Sequence, residues 1–131
     1  MDFEILVVED DPETLDFITI ILERNGFRVI VAHDGQAALG IIASRNPQLV
    51  VTDVRMPHID GIEMIRRIRA MGVTRRFIPV LAVTAYQLEH AAQVLSAGAS
   101  RVLAKPFEPD VLLASIKDLL APGLAAGITL K

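Results

Sequence analysis

Short apolar runs recur along the chain with segments of helical rhythm between them. Five runs are strand-like: Ile5 to Val8, Phe27 to Val31, Leu49 to Thr52, Ile78 to Val83 and Val102 to Ala104. Most are continuous rather than alternating, as expected of strands covered on both faces in a parallel sheet. Leu15, Ile18, Ile21 and Leu22 make a first helical stripe, and Met64, Ile65, Ile68 and Met71 another. Leu88, Ala91, Ala92 and Leu95 follow the i, i+3, i+4, i+7 pattern, and Leu112, Leu113, Ile116, Leu119 and Leu120 close the set. A second helix, roughly Gln36 to Arg45, rests on Ala38, Ile41 and Ile42.

Punctuation agrees. Asp11-Pro12 and Glu108-Pro109 put a polar residue before a proline suited to a first helical turn. Asp34 and Asp60 stand where caps are needed, and Asn46-Pro47 stops the second helix. Gly26, Gly72 and Gly98 each follow a helical stretch, where a left-handed residue is expected. Strands alternating with helices imply right-handed crossovers and an α/β class, with an open doubly wound sheet rather than an eight-unit barrel. The expected domain spans residues 1–121. Residues 122–131 read as a loose tail or the start of a linker.

Composition narrows the setting. One domain fits 131 residues, and 52% hydrophobic content excludes general disorder. No apolar run is long enough to span a membrane, and the acidic start Met1-Asp2-Phe3-Glu4 is unlike a signal peptide. The chain has no cysteine, so a reducing cytoplasm is the expected location. A net charge of −3 argues against direct nucleic acid binding, and no effector motif follows Leu120 within this sequence.

Ligands of open α/β sheets bind beyond the carboxyl ends of the strands. Those ends carry Glu9, Asp10 and Asp11 after the first strand, Asp53 after the third, Thr84 after the fourth and Lys105 after the fifth. Singly, each has a plainer reading: Asp11 as a helix cap, Glu9 and Asp10 as solvated loop acids, Thr84 as a strand end, Lys105 as a surface lysine. If the first strand neighbours the third, Glu9, Asp10 and Asp53 converge. Carboxylates so placed repel unless a hard divalent cation such as Mg²⁺ intervenes. An ammonium beside such a pocket suggests a phosphoryl group and a phospho-aspartate at Asp53.

The stretches Ile5-Leu6-Val7-Val8-Glu9-Asp10-Asp11, Leu49 to Pro57, Asp60-Gly61, Val83-Thr84-Ala85 and Lys105-Pro106-Phe107 resemble the receiver domains of two-component response regulators. The resemblance covers roughly Phe3 to Leu120. It implies a flavodoxin-like (βα)5 sandwich with a parallel five-stranded sheet in the order 2-1-3-4-5. It further implies that Asp53 accepts a phosphoryl group from a phosphohistidine of a histidine kinase or histidine phosphotransfer protein. Glu9, Asp10, Asp53 and the Arg55 backbone carbonyl would hold Mg²⁺, with Mn²⁺ as a substitute. Thr84 and Lys105 would bind the phosphoryl group, with the Lys105-Pro106 bond cis. The product would be a signalling switch that promotes its own phosphorylation and autodephosphorylation, not a conventional enzyme.

One departure stands out. Val102 occupies the position where many receivers carry a switching aromatic, so a ring flip there is excluded. Tyr86 is the nearest aromatic after Thr84, either as a gate over Asp53 or as a half-packed helix start. His33, His58 and His90 lack metal-ligand spacing, and Arg66, Arg67, Arg69, Arg75 and Arg76 read as a solvated face. The fourth helix, Gln87 to Ser96, carries only Glu89 as a formal charge, which suits a partner surface that includes Leu88 and Leu95. A monomer or a phosphorylation-dependent dimer through helix 4, strand 5 and helix 5 is expected. A Mg²⁺-dependent aspartyl-phosphate phosphatase is the enzymatic alternative, disfavoured by Arg55 where such hydrolases place a second Asp. A receiver that binds partners without phosphorylation is the other alternative, disfavoured by the complete acceptor set.

Overall fold

A computed structural model describes residues 3–56, 59–72, 77–85 and 88–127, without the side chains of residues 88–90 and 122–127. Its strands are β1 (Glu4–Val8), β2 (Arg28–Ala32), β3 (Leu49–Asp53), β4 (Val80–Thr84) and β5 (Arg101–Ala104). The helices between and after them are α1 (Pro12–Arg24), α2 (Gly35–Arg45), α3 (Gly61–Arg69), α4 (Leu88–Ala97) and α5 (Pro109–Gly127). The sheet is parallel throughout, in the order β2-β1-β3-β4-β5. The expected α/β, flavodoxin-like arrangement is therefore the one observed.

Pleating divides the core into two layers, because successive strand residues point to opposite faces. Ile5, Val7, Leu49, Val51, Leu81 and Val83 pack with Leu15, Ile18 and Leu22 of α1 and Leu112 and Ile116 of α5. Leu6, Val8, Val50, Val80 and Ala82 pack with Ala38 and Ile42 of α2, Met64, Ile65 and Ile68 of α3, and Val94 and Ala97 of α4. Covering both faces explains why the strands read as unbroken apolar runs.

The caps form as expected. The side chains of Asp11, Asp34 and Asp60 accept from the backbone N–H groups of Thr14, Ala37 and Glu63 at 3.0, 2.8 and 2.9 Å. Gly26 and Gly98 are left-handed, at φ 90° and 123°. Gly72 is not, because α3 has already ended at Ala70 in an ordinary right-handed conformation.

Two helices, α5 and α4, add detail to their sequence patterns. The helix α5 runs past Ala121 to Gly127. Leu124, Ala125 and Ala126 are strong helix formers, and the backbone carries on through Pro122. On α4 the buried side is Val94 and Ala97, whereas Ala92 is exposed and Leu95 is 47% exposed. Two apolar stripes overlap on this helix, and the one with smaller side chains faces the sheet, sharing a cluster with Val80 and Ala82.

Candidate functional site

Polar residues enter the core mainly at one end of the sheet. Glu9, Thr52, Asp53 and Thr84 are buried, and all four lie at the carboxyl ends of β1, β3 and β4. The β1–β3 pairing sets Val8 against Thr52, which brings the residues that follow each of them side by side. Carboxylate oxygens of Glu9, Asp10 and Asp53 consequently lie within 4.8 Å of one another, Asp10 being the exposed member.

Backbone geometry holds Asp53 in place. Its Oδ1 accepts from the Val54 N–H at 2.7 Å, and Gly61 N–H at the start of α3 donates to Val54 O at 2.7 Å. A Cβ at Gly61 would stand 2.6 Å from Asp53 O and 2.7 Å from Val54 Cα. Both are main-chain atoms, so only glycine lets α3 close against the end of β3. The Asp60-Gly61 pair thus supplies a cap and a close approach in adjacent residues.

Lys105 bridges the acids. Its Nζ lies 3.0 Å from Glu9 Oε1 and 3.6 Å from Asp53 Oδ2. The Lys105-Pro106 peptide bond is cis, and Lys105 N–H donates to Thr84 O at 2.8 Å, which docks the loop after β5 onto the end of β4. Glu9 is 1% exposed, and burial raises its pKa. The Lys105 ammonium and the Asp11 N–H oppose that rise, whereas Asp53 adds to it. Three hard oxygen donors around a buried acid of this kind fit Mg²⁺ or Mn²⁺.

The other sequence candidates are placed as follows. Arg55 is exposed two residues beyond Asp53. Val102 pairs with Ala82 and packs, half-buried, against the α2–α3–α4 layer. Tyr86 and His58 lie outside the described residues, as do Arg75, Arg76 and the side chains of Leu88 and His90. His33 is exposed and belongs to no acidic or metal-ligating group among the described residues.

Arg69 is not part of a solvated face. Its Nε and Nη2 donate to Gly98 O at 2.9 and 2.7 Å, and its Nη1 donates to Ile78 O at 2.6 Å. Burial lowers its pKa. Arg67, by contrast, makes an exposed i,i+4 pair with Glu63. Sequence inspection also passed over Phe17 on α1, 43% exposed, whose ring lies 5.9 Å from that of Phe107. An aromatic on the polar side of an amphipathic helix was the signal available.

Comparison with known proteins agrees with this geometry. The response regulator receiver domain family matches residues 5–117. Response regulator MprA of Mycobacterium tuberculosis (strain ATCC 25618 / H37Rv) is 40% identical over 121 residues, covering 92% of this chain and 51% of that protein. The chain therefore spans about half the length of the curated relatives it matches. Among solved structures, the receiver domain of a signal transduction histidine kinase from Syntrophus aciditrophicus superposes with a TM-score of 0.86 at 29% identity, covering 98% of this chain and 97% of that one. Chemotaxis response regulator CheY4 of Vibrio cholerae gives 0.86 at 28% identity, over 92% of this chain and 100% of its own.

Proposed function

This chain belongs to the response regulator receiver domain family, and from that premise we propose that Asp53 is its phosphoryl acceptor, charged by a phosphohistidine on a histidine kinase or phosphotransfer protein. The carrying observation is the position of Lys105, whose ammonium lies within 4 Å of both Glu9 and Asp53 at the mouth of the acidic cluster. An Asp53 carboxylate oxygen attacks phosphorus in line, the phosphorus–nitrogen bond of the donor breaks, and the imidazole leaves with the electron pair. Lys105 neutralises phosphoryl oxygens and Thr84 donates a hydrogen bond to one of them.

Glu9, Asp10, Asp53 and the Arg55 carbonyl are the groups suited to hold Mg²⁺ or Mn²⁺. The metal, when bound, offsets the charge that builds on the transferring group. Glu9 and Asp10 orient it, and the buried end of β3 keeps the acceptor from moving.

Transmission to a partner runs, in this reading, from Thr84 through α4, β5 and α5. Exposed Leu95 on α4 and Val111 on α5 support an apolar contact there. With Val102 on β5, no ring rotation is available at that position. The chemistry is self-phosphorylation and autodephosphorylation of a switch in the cytoplasm, not turnover of an external substrate.

Incubation with Mg²⁺ and acetyl phosphate tests this. The parent chain gains an acid-stable, hydroxylamine-labile phosphate and Asp53→Asn does not. A parent that takes up no phosphate is a receiver that works without phosphorylation, and the reading fails.

A further inference from the structure

Among the described residues, β2 and α2 contribute no side chain to the acidic cluster, yet the turn between them touches both loops from which the cluster is built. Residues 33 and 34 separate β2 (Arg28–Ala32) from α2 (Gly35–Arg45). On one side of this turn, Glu9 N–H donates to Ala32 O at 3.1 Å, which fastens the start of the β1–α1 loop to the end of β2. On the other side, Ile59 of the β3–α3 loop comes against Gly35. A Cβ at Gly35 would stand 2.9 Å from Ile59 O, 3.4 Å from Ile59 Cβ and 3.5 Å from Ile59 Cγ2. The nearest of these atoms is main chain, so room for a methyl opens only if the loop or α2 shifts.

The turn is itself held firmly. Asp34 caps α2 by accepting from Ala37 N–H at 2.8 Å, and Ala32 and Gly35 are buried. Ile59 packs against the apolar layer that includes Ala38 and Ile42 of α2. The β3–α3 loop is thus seated at two places. Gly61 admits it against Asp53 and Val54, and Gly35 admits it against α2. Arg55 lies between those two contacts, and Glu9 heads the other loop tied to the same turn.

We propose that the β2–α2 turn is a brace that sets the spacing of the two metal-binding loops, with Gly35 as its positioning residue. This rests on the metal site of the phosphoryl-acceptor reading and names what holds the two halves of that site together. Metal affinity depends on how firmly the ligands are oriented by the groups behind them. Asp53 is fixed separately by Val54 and Gly61, so the brace acts on cation binding rather than on the acceptor.

Calorimetric titration of Mg²⁺ into the whole chain tests this. Gly35→Ala should weaken binding by about tenfold, while acetyl phosphate labelling of Asp53 recovers to the parent level at saturating Mg²⁺. A merely unfolding change would lower the number of sites titrated and not their affinity. Gly40→Ala, in the same helix with nothing within 4 Å of the added methyl, should keep the parent affinity. Ile59→Ala keeps Gly35 and removes the side chain resting on it, so it should also weaken Mg²⁺ binding, and it decides the matter if Gly35→Ala does not fold. Parent affinity in the deciding variant, or equal weakening in Gly40→Ala, overturns the brace while Asp53 stands. A parent that binds no Mg²⁺ overturns the metal reading and the brace with it.

Discussion

Lys105 is closer to Glu9 than to Asp53, 3.0 Å against 3.6 Å, although the two acids are separated from each other by 44 positions in sequence and Lys105 by 96 from Glu9. The lysine thus stabilises a buried carboxylate of the acidic cluster while remaining within reach of Asp53. Removing either partner leaves a charge in a poorly hydrated place.

The pH dependence of the metal-free fold follows from Glu9. Burial raises its pKa above the ordinary 4.5. A carboxyl with a raised folded pKa contributes stability that is fully present below its unfolded pKa and is lost as pH rises through the folded value. In EDTA, urea unfolding of the parent should therefore show a decline in this contribution from about pH 4.5 upward, and Glu9→Gln should flatten it. Added Mg²⁺ should oppose the decline, since metal favours the ionised form. An identical pH profile for parent and Glu9→Gln would contradict the assignment.

Asp11 gives the opposite sign. Its pKa is lowered, first by the hydrogen bond from the Thr14 hydroxyl and then by the Thr14 N–H. Its contribution is present above its unfolded pKa, near 3.8, and is lost as pH falls through the lower folded value. Asp11→Ala should lower the melting temperature at pH 7, with the difference from the parent closing in strong acid. Calorimetry at both pH values checks this.

Gly61→Ala should destabilise the chain by about 1–3 kcal/mol, because the new methyl meets backbone rather than a yielding side chain. Relaxing that contact means moving Val54 and the carbonyl of Asp53. The variant should lose labelling at Asp53 along with stability. Equilibrium denaturation and acetyl phosphate labelling report the two effects on the same sample.

Arg69→Met should cost about 1–3 kcal/mol, since two part-buried carbonyls lose their donors. Arg67→Met, which removes an exposed pair with Glu63, should stay within about 0.5 kcal/mol. Equal effects of the two changes in urea unfolding would mean that the Arg69 contacts to Gly98 and Ile78 are not holding α3 to the neighbouring turns.

Local signals sufficed for much of this molecule. Asp11, Asp34 and Asp60 cap helices because capping is decided within three residues of the cap. Gly72 misled because a glycine records what the backbone tolerates, and α3 ends where packing and neighbouring residues put it. Arg69 looked like its neighbours Arg66 and Arg67. Only the positions of Gly98 O and Ile78 O distinguish it, and both carbonyls lie outside α3, 29 and nine positions along the chain.

The sequence alone determined the alternation of strands and helices, and it determined that acids, a threonine and a lysine stand at the carboxyl ends of β1, β3, β4 and β5. Those features follow from residue spacing and local backbone preference. Tertiary structure decided which of two apolar stripes on α4 faces the sheet, that Lys105 is nearer Glu9 than Asp53, and that Phe17 meets Phe107. Each of these depends on how close two elements far apart in the chain can pack, and side-chain volume across an interface is not written in the order of residues along either one.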